Sequence, residues 1–191
     1  VGQAAIMTQV MAICAGEKLV ESVAIYEWRD DVGGAETTSN WGLVKGTDYT
    51  VPYAAKPFFV AMAEFNKLLT DAEPLGFIEN GDTKAYRFKS AKDGKNITDL
   101  WPDGSSEAVG LDLGTNEVEI LDMYGNSRGK IHSENGVYSF LATFEPQYII
   151  GNSEKMEFAE AIISTNDGRC NAPAGDIAVI NFTDKLSRNL R

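Results

Sequence analysis

The decapeptide Ser22–Asp31, SVAIYEWRDD, passes from an apolar run into two large aromatic side chains and then two adjacent acids. In an extended chain side chains alternate between faces, so Ala24, Tyr26 and Trp28 share one face and Val23, Ile25 and Glu27 the other. A phenol and an indole at the carboxyl end of such a strand can stack on the apolar face of a pyranose ring and still use their polar edges for hydrogen bonds. Asp30 and Asp31, just beyond the strand, can accept hydrogen bonds from sugar hydroxyls. The same residues have a plainer use, with the aromatics as core under a loop and the acids as turn formers. Composition leaves both readings open. Tyr26, Trp28, Asp30 and Asp31 are the candidate binding residues, and none of them is assigned a catalytic part.

The whole chain limits what such a tip can meet. Its 191 residues include 28 Asp and Glu against 17 Lys and Arg, a formal charge of −11. That disfavours nucleic acid and anionic membrane, whose phosphates need a basic surface, and it does not penalise a neutral ligand. A hydrophobic share of 43% is ordinary for a chain that buries a core. One histidine, His132, and two cysteines, Cys14 and Cys170, match no zinc spacing, so neither metal nor cofactor is expected. The cysteines read as free, partly buried thiols, and no disulfide follows from so long a separation. His132, in KIHSENG with no nucleophile motif beside it, reads as a surface histidine. No apolar run reaches the ~18 residues of a membrane helix.

The elements that must hold the tip come next. Residues 3–19 read as a helix, with Ile6, Val10, Ile13 and Cys14 recurring on one face, Ala4, Ala5, Ala12 and Ala15 suited to close packing, and Gly16 loosening or ending it. Starting inside this pattern, at Val1, the chain looks cut from something longer. Ser22–Trp28 is the expected strand, followed by a polar loop over Asp30–Asn40 and the run NWGLV. Pro57 opens a second helix, PFFVAMAEFNKLL, striped by Phe58, Met62, Phe65 and Leu69. From Glu73 the texture changes to short strands split by turn signals, with no helix, which suggests an antiparallel sandwich. Val109, Leu111 and Leu113 fall on one face there, and KIHSENG with VYSFLATF reads as a hairpin turning at Gly136. The organisation expected is therefore a helix–strand–loop–helix unit over 1–72, a sandwich over 73–151, and the start of a further β module over 152–191.

A helix, a strand ending in aromatics and acids, a long loop and a helix make one rung of a (β/α)8 barrel, whose active site lies at the carboxyl ends of its strands. The stretch resembles the end of the barrel in a large clan of retaining glycoside hydrolases. There the last strand reads like W/F-Y-D-F-R-D-D-G, followed by E-x-x-F-G-L-V and K-P-A-Y-x-A. Tyr26, Arg29, Asp30 and Asp31 match the strand, Asn40, Trp41, Gly42, Leu43 and Val44 the loop, and Lys56, Pro57, Phe58 and Ala61 the helix start. Glu27 stands where Asp is usual, and Val32 where Gly is usual, with Gly33 and Gly34 adjacent. Further on, Asp122, Gly125 and Asn126 are similar to the D-x-x-G-N turn of the small sandwich that closes many of these enzymes. Pro146, Tyr148, Ile149 and Gly151 match its P-x-Y-I-x-G end, so the likeness spans residues 3–151.

That resemblance implies terminal β/α structure of a TIM barrel followed by an antiparallel β-sandwich, an α/β plus all-β chain. It implies a carbohydrate partner, an oligo- or polysaccharide cleaved at O-glycosidic bonds, and an extracellular or periplasmic setting. Retaining enzymes cut with two carboxylates ~5 Å apart, and in this clan they come from strands four and seven. The strand here matches strand eight, so both are expected in an amino-terminal barrel portion before Val1, and the chain alone is expected to be inactive. Glu27, pointing away from Tyr26 and Trp28 by strand alternation, is not a substitute. The alternative is a non-catalytic module, in which the sandwich either binds glycan through Trp101, Tyr124 and Tyr138 or serves a structural purpose.

Overall fold

The computed structural model describes residues 2–17, 20–31, 40–115, 117–133, 136–152 and 155–161. The first helix, α1 (Gly2–Gly16), is rich in alanine and buries Ala4, Ala5, Thr8, Met11 and Ala12. The face expected to be buried is turned the other way: Ile6 and Val10 are exposed, and Ile13 and Cys14 are half-buried. The small side chains explain this, because they bring the helix close to the second one, α2 (Pro57–Leu69), and to the sheet beneath both. Gly16 ends α1 directly against the Tyr86 ring, where a Cβ would collide. Helix α2 opens with proline in its first turn and buries Phe58, Ala61, Glu64, Phe65 and Leu69. Its stripe follows the sequence, with Met62 half-buried.

The strands are β1 (Glu73–Asn80), β2 (Thr83–Lys89), β3 (Asn96–Pro102), β4 (Glu107–Asp112), β5 (Glu117–Asp122), β6 (Ser127–His132), β7 (Val137–Ala142), β8 (Gln147–Gly151) and β9 (Glu157–Ala159). They form a six-stranded sheet in the order β1-β2-β3-β8-β5-β6 and a three-stranded sheet in the order β7-β4-β9. Every pairing is antiparallel. The larger sheet is a middle layer. Phe88, Ile97, Trp101, Leu121 and Tyr148 face the helices, while Ala85, Leu100, Ile120 and Ile149 face Val109, Leu111, Tyr138 and Phe140 of the small sheet. Burial on both faces is why β3 is buried along nearly its whole length instead of alternating with solvent.

Two sequence expectations are corrected by this topology. β6 and β7 do not form a hairpin. β6 folds back on β5, and β7 crosses to β4 in the other sheet. Composition explains the split, since SRGKIH is polar enough for an outer strand and VYSFLA has buried positions to fill. Gly136 does turn the chain, at φ 86°. The second correction concerns Ser22–Trp28, where no strand forms. No backbone hydrogen bond ties residues 21–26 to another described segment, and the one ladder contact is a parallel bridge between Arg29 and Val44. The described residues thus form an antiparallel sandwich with two helices on one face. β9 joins the small sheet beside β4. The remainder of the expected further module, residues 162–191 with Cys170, lies outside the described residues, as do Val32, Gly33 and Gly34.

Candidate functional site

The run NWGLV returns across the end of the SVAIYEWRDD segment and is laced to it. The Leu43 amide donates to the carbonyls of Glu27 at 3.1 Å and Trp28 at 3.0 Å, and the Val44 amide to Trp28 at 3.1 Å. The Asp30 amide donates back to the Val44 carbonyl at 3.0 Å. Gly42 touches the backbone of Arg29 and Asp30 so closely that any Cβ would overlap it. Val44 also bridges Ala55, and the Lys56 amide donates to the Leu43 carbonyl at 3.0 Å, which ties the start of α2 into the same knot.

A buried ion pair sits inside this knot. Asp30 is 1% exposed, and its Oδ1 accepts from the Gly42 amide at 2.9 Å and from Lys56 Nζ at 2.8 Å. Lys56 donates a second bond to the Asn40 carbonyl at 2.6 Å. Tyr49 closes the loop by donating to Asn40 Oδ1 at 2.6 Å, and Lys45 Nζ stands 5.3 Å from the centroid of its ring. Burial, then the Asp30 carboxylate, holds the Tyr49 phenol above its ordinary value. The carboxylate of Asp30 therefore faces inward, whereas Asp31 is on the surface.

The aromatics face outward. Tyr26 is 78% exposed and Trp28 61%. Trp28 stands edge-on to Phe59 of α2, with ring centroids 6.0 Å apart. The Tyr26–Glu27 peptide bond is cis. The Glu27 carboxylate lies beside the Tyr26 phenol, and with Asp31 it pushes that phenol up. The alternation expected to separate Glu27 from Tyr26 fails because no strand forms there. Trp41 joins the exposed group at 53%, its carbonyl accepting from Gln3 Nε2 at 3.2 Å. Sequence reasoning matched Trp41 and Lys56 to a pattern without giving either a place at the site. The signal was their position, one residue before Gly42 and one before Pro57.

Other candidates are drawn into the interior. Trp101 and Tyr138 are each 1% exposed and belong to the two separate cores, so they form no common platform; Tyr124 is half-buried. His132 is exposed, its Nε2 3.9 Å from Glu117 Oε2. Among the described residues no group of three or more His, Cys, Asp or Glu side chains is placed to hold a metal ion. An open groove of about 310 Å³ runs between α1, residues 20–25 and α2, lined by Met11, Cys14, Val23, Ile25, Met62 and Phe65.

No family model matches the sequence, and no curated protein matches it. Among solved structures, the chain is similar to one described as a family 39 glycoside hydrolase from the gut symbiont Bacteroides cellulosilyticus WH2, with a TM-score of 0.65 and 18% sequence identity. The match covers 77% of this chain and 29% of that one. At this identity the likeness is one of fold, and the chain spans less than a third of the length of its counterpart.

Proposed function

We propose that the chain is the carboxyl-terminal part of a glycoside hydrolase, supplying one wall of a glycan cleft and the β-sandwich that backs it. The observation that carries this reading is the exposed pair Trp28 and Trp41 on a backbone knot that is itself tightly bonded, with the exposed Tyr26 just before it. Large rings held open to water at a rigid tip suit a neutral, flat-faced ligand such as a pyranose. The net charge of −11 argues in the same direction. Similarity of fold to a glycoside hydrolase over 77% of the chain supports the class of protein.

The cutting groups belong, in this reading, to polypeptide upstream. Retaining hydrolysis uses a nucleophile and an acid/base about 5 Å apart. Near the rim, Asp30 is committed to Lys56 and Gly42. Residues 21–26, without ladder partners among the described residues, are the segment against which upstream strands would pair. The chain's span of 29% of its structural counterpart is in keeping with a missing barrel. The alternative, glycan binding by the sandwich itself, is disfavoured by the burial of Trp101 and Tyr138, which suits a supporting role. Assay of the purified chain on aryl glycosides tests the reading. No turnover above the uncatalysed rate is expected, and sustained turnover abolished by Glu27→Gln would overturn it.

A further inference from the structure

We infer that Asp30 is a positioning residue: with Lys56 it forms a buried clamp that fixes Trp28 and Trp41 as a paired stacking surface for a neutral glycan. The glycan rests on the function proposed above; the clamp stands on geometry alone. Each indole is a short step from the ion pair. On one side Asp30 Oδ1 holds the Gly42 amide at 2.9 Å, and Trp41 is the residue before Gly42. On the other side Lys56 is the residue from which α2 starts, and the first turn of α2 carries Phe59, whose ring meets Trp28 edge-on at 6.0 Å. The Phe59 amide donates to the Lys56 carbonyl at 2.9 Å, so the ring is tied to the cation's own backbone.

The two strands of the knot also touch between the indoles. A Cβ on Gly42 would come within 2.6 Å of the Arg29 Cα. With successive Cα atoms about 3.8 Å apart, the Trp28 and Trp41 Cα atoms are at most about 12 Å from each other. Their separation is thus set by one glycine contact and one buried carboxylate. A charge 1% exposed, with two donors on a single oxygen, is an expensive arrangement for a turn former. Its consequence is that both rings stay open to solvent, at 61% and 53%, on backbone held by the hydrogen bonds of the knot.

The test is ¹⁹F NMR of the full chain labelled with 5-fluorotryptophan. The chain has three tryptophans, so Trp28, Trp41 and the buried Trp101 give three signals, assigned by single Trp→Phe substitutions. Asp30→Ala is expected to move or broaden the Trp28 and Trp41 signals and to leave Trp101 in place. Asp30→Asn, which keeps an oxygen for the Gly42 amide, is expected to move Trp28 more than Trp41. Lys56→Met should disturb both, and Lys56→Arg should restore them. The inference is overturned if the two rim signals keep their wild-type positions in Asp30→Asn and Lys56→Met. It is equally overturned if all three signals collapse together in both, since Asp30 would then merely support the fold. Titration with cellotetraose, xylotetraose and mannotetraose adds the functional arm, with at least a fivefold weaker response expected in Asp30→Asn. A wild-type chain indifferent to all three would count against the proposed function, while the rim signals would still decide the clamp.

Discussion

Asp99 stands in the middle of β3, flanked in register by Tyr86 and Tyr148, with neither carboxyl oxygen hydrogen-bonded and the residue fully buried. Burial holds its carboxyl well above the ordinary value of 3.8. The folded chain therefore keeps this proton to higher pH than the unfolded chain does. The stability this contributes is fully present below the ordinary carboxylate value and is lost as pH rises toward the folded-state value. In urea unfolding, wild-type stability should fall between pH 4 and pH 7 relative to Asp99→Asn; parallel profiles would remove Asp99 as the cause. Asp99→Leu, which takes the unpartnered group out of the core, should stabilise by roughly 1–3 kcal/mol at pH 7. Asp30 is the opposite case, a buried acid with its partners in place. Lys56→Met should cost roughly 3–5 kcal/mol, more than the Asp30→Asn/Lys56→Met pair, because it strands a charge. Double-mutant analysis by urea unfolding measures that coupling. The sequence offered Asp30 and Asp31 as equals because adjacent acids after a strand carry no mark of which turns inward. The mark is Lys56, 26 positions later, and only the returning loop brings it there.

At the scale of elements, α2 was legible because its stripe matches the layer it packs against, and the strands because turn residues divide them, though not which strand pairs with which. Helix α1 packs through the alanines that suit close contact, with Thr8 and Met11, and not through the stripe of Ile6, Val10, Ile13 and Cys14 that its periodicity singled out. Hydrophobic periodicity cannot report a contact made for closeness. Ser22–Trp28 has strand composition without a neighbour to pair with, and pairing, not propensity, decides whether a strand exists. Hydrogen exchange should separate these cases. Amides of residues 21–26 should exchange at nearly unprotected rates, while those of β3 and β8, central in the six-stranded sheet, should be the slowest. Protection of residues 21–26 equal to that of β3 would mean that they are paired after all. Trp101, stacked on Tyr86 with centroids 5.8 Å apart, anchors the helix-facing core. Trp101→Ala should cost roughly 3–5 kcal/mol in urea unfolding without moving the rim signals.

At the scale of the molecule, three layers close around two cores, but the aromatic rim and the groove between α1, residues 20–25 and α2 stay open. Val20 and Val23 are exposed at 41% and 44% on the wall of that groove. The groove should take up a neutral apolar dye such as Nile red, and Val23→Lys should reduce the fluorescence gain several-fold; an unchanged signal would locate the dye elsewhere. Rim and groove both flank residues 21–26, which have no ladder partner among the described residues. The most direct measurement is titration of the fluorotryptophan-labelled chain with neutral tetrasaccharides at millimolar concentration. Saturable movement of the Trp28 and Trp41 signals, with Trp101 unmoved, is the predicted result. Rim signals that stay fixed up to the solubility of every sugar, or a response confined to Trp101, would contradict the account.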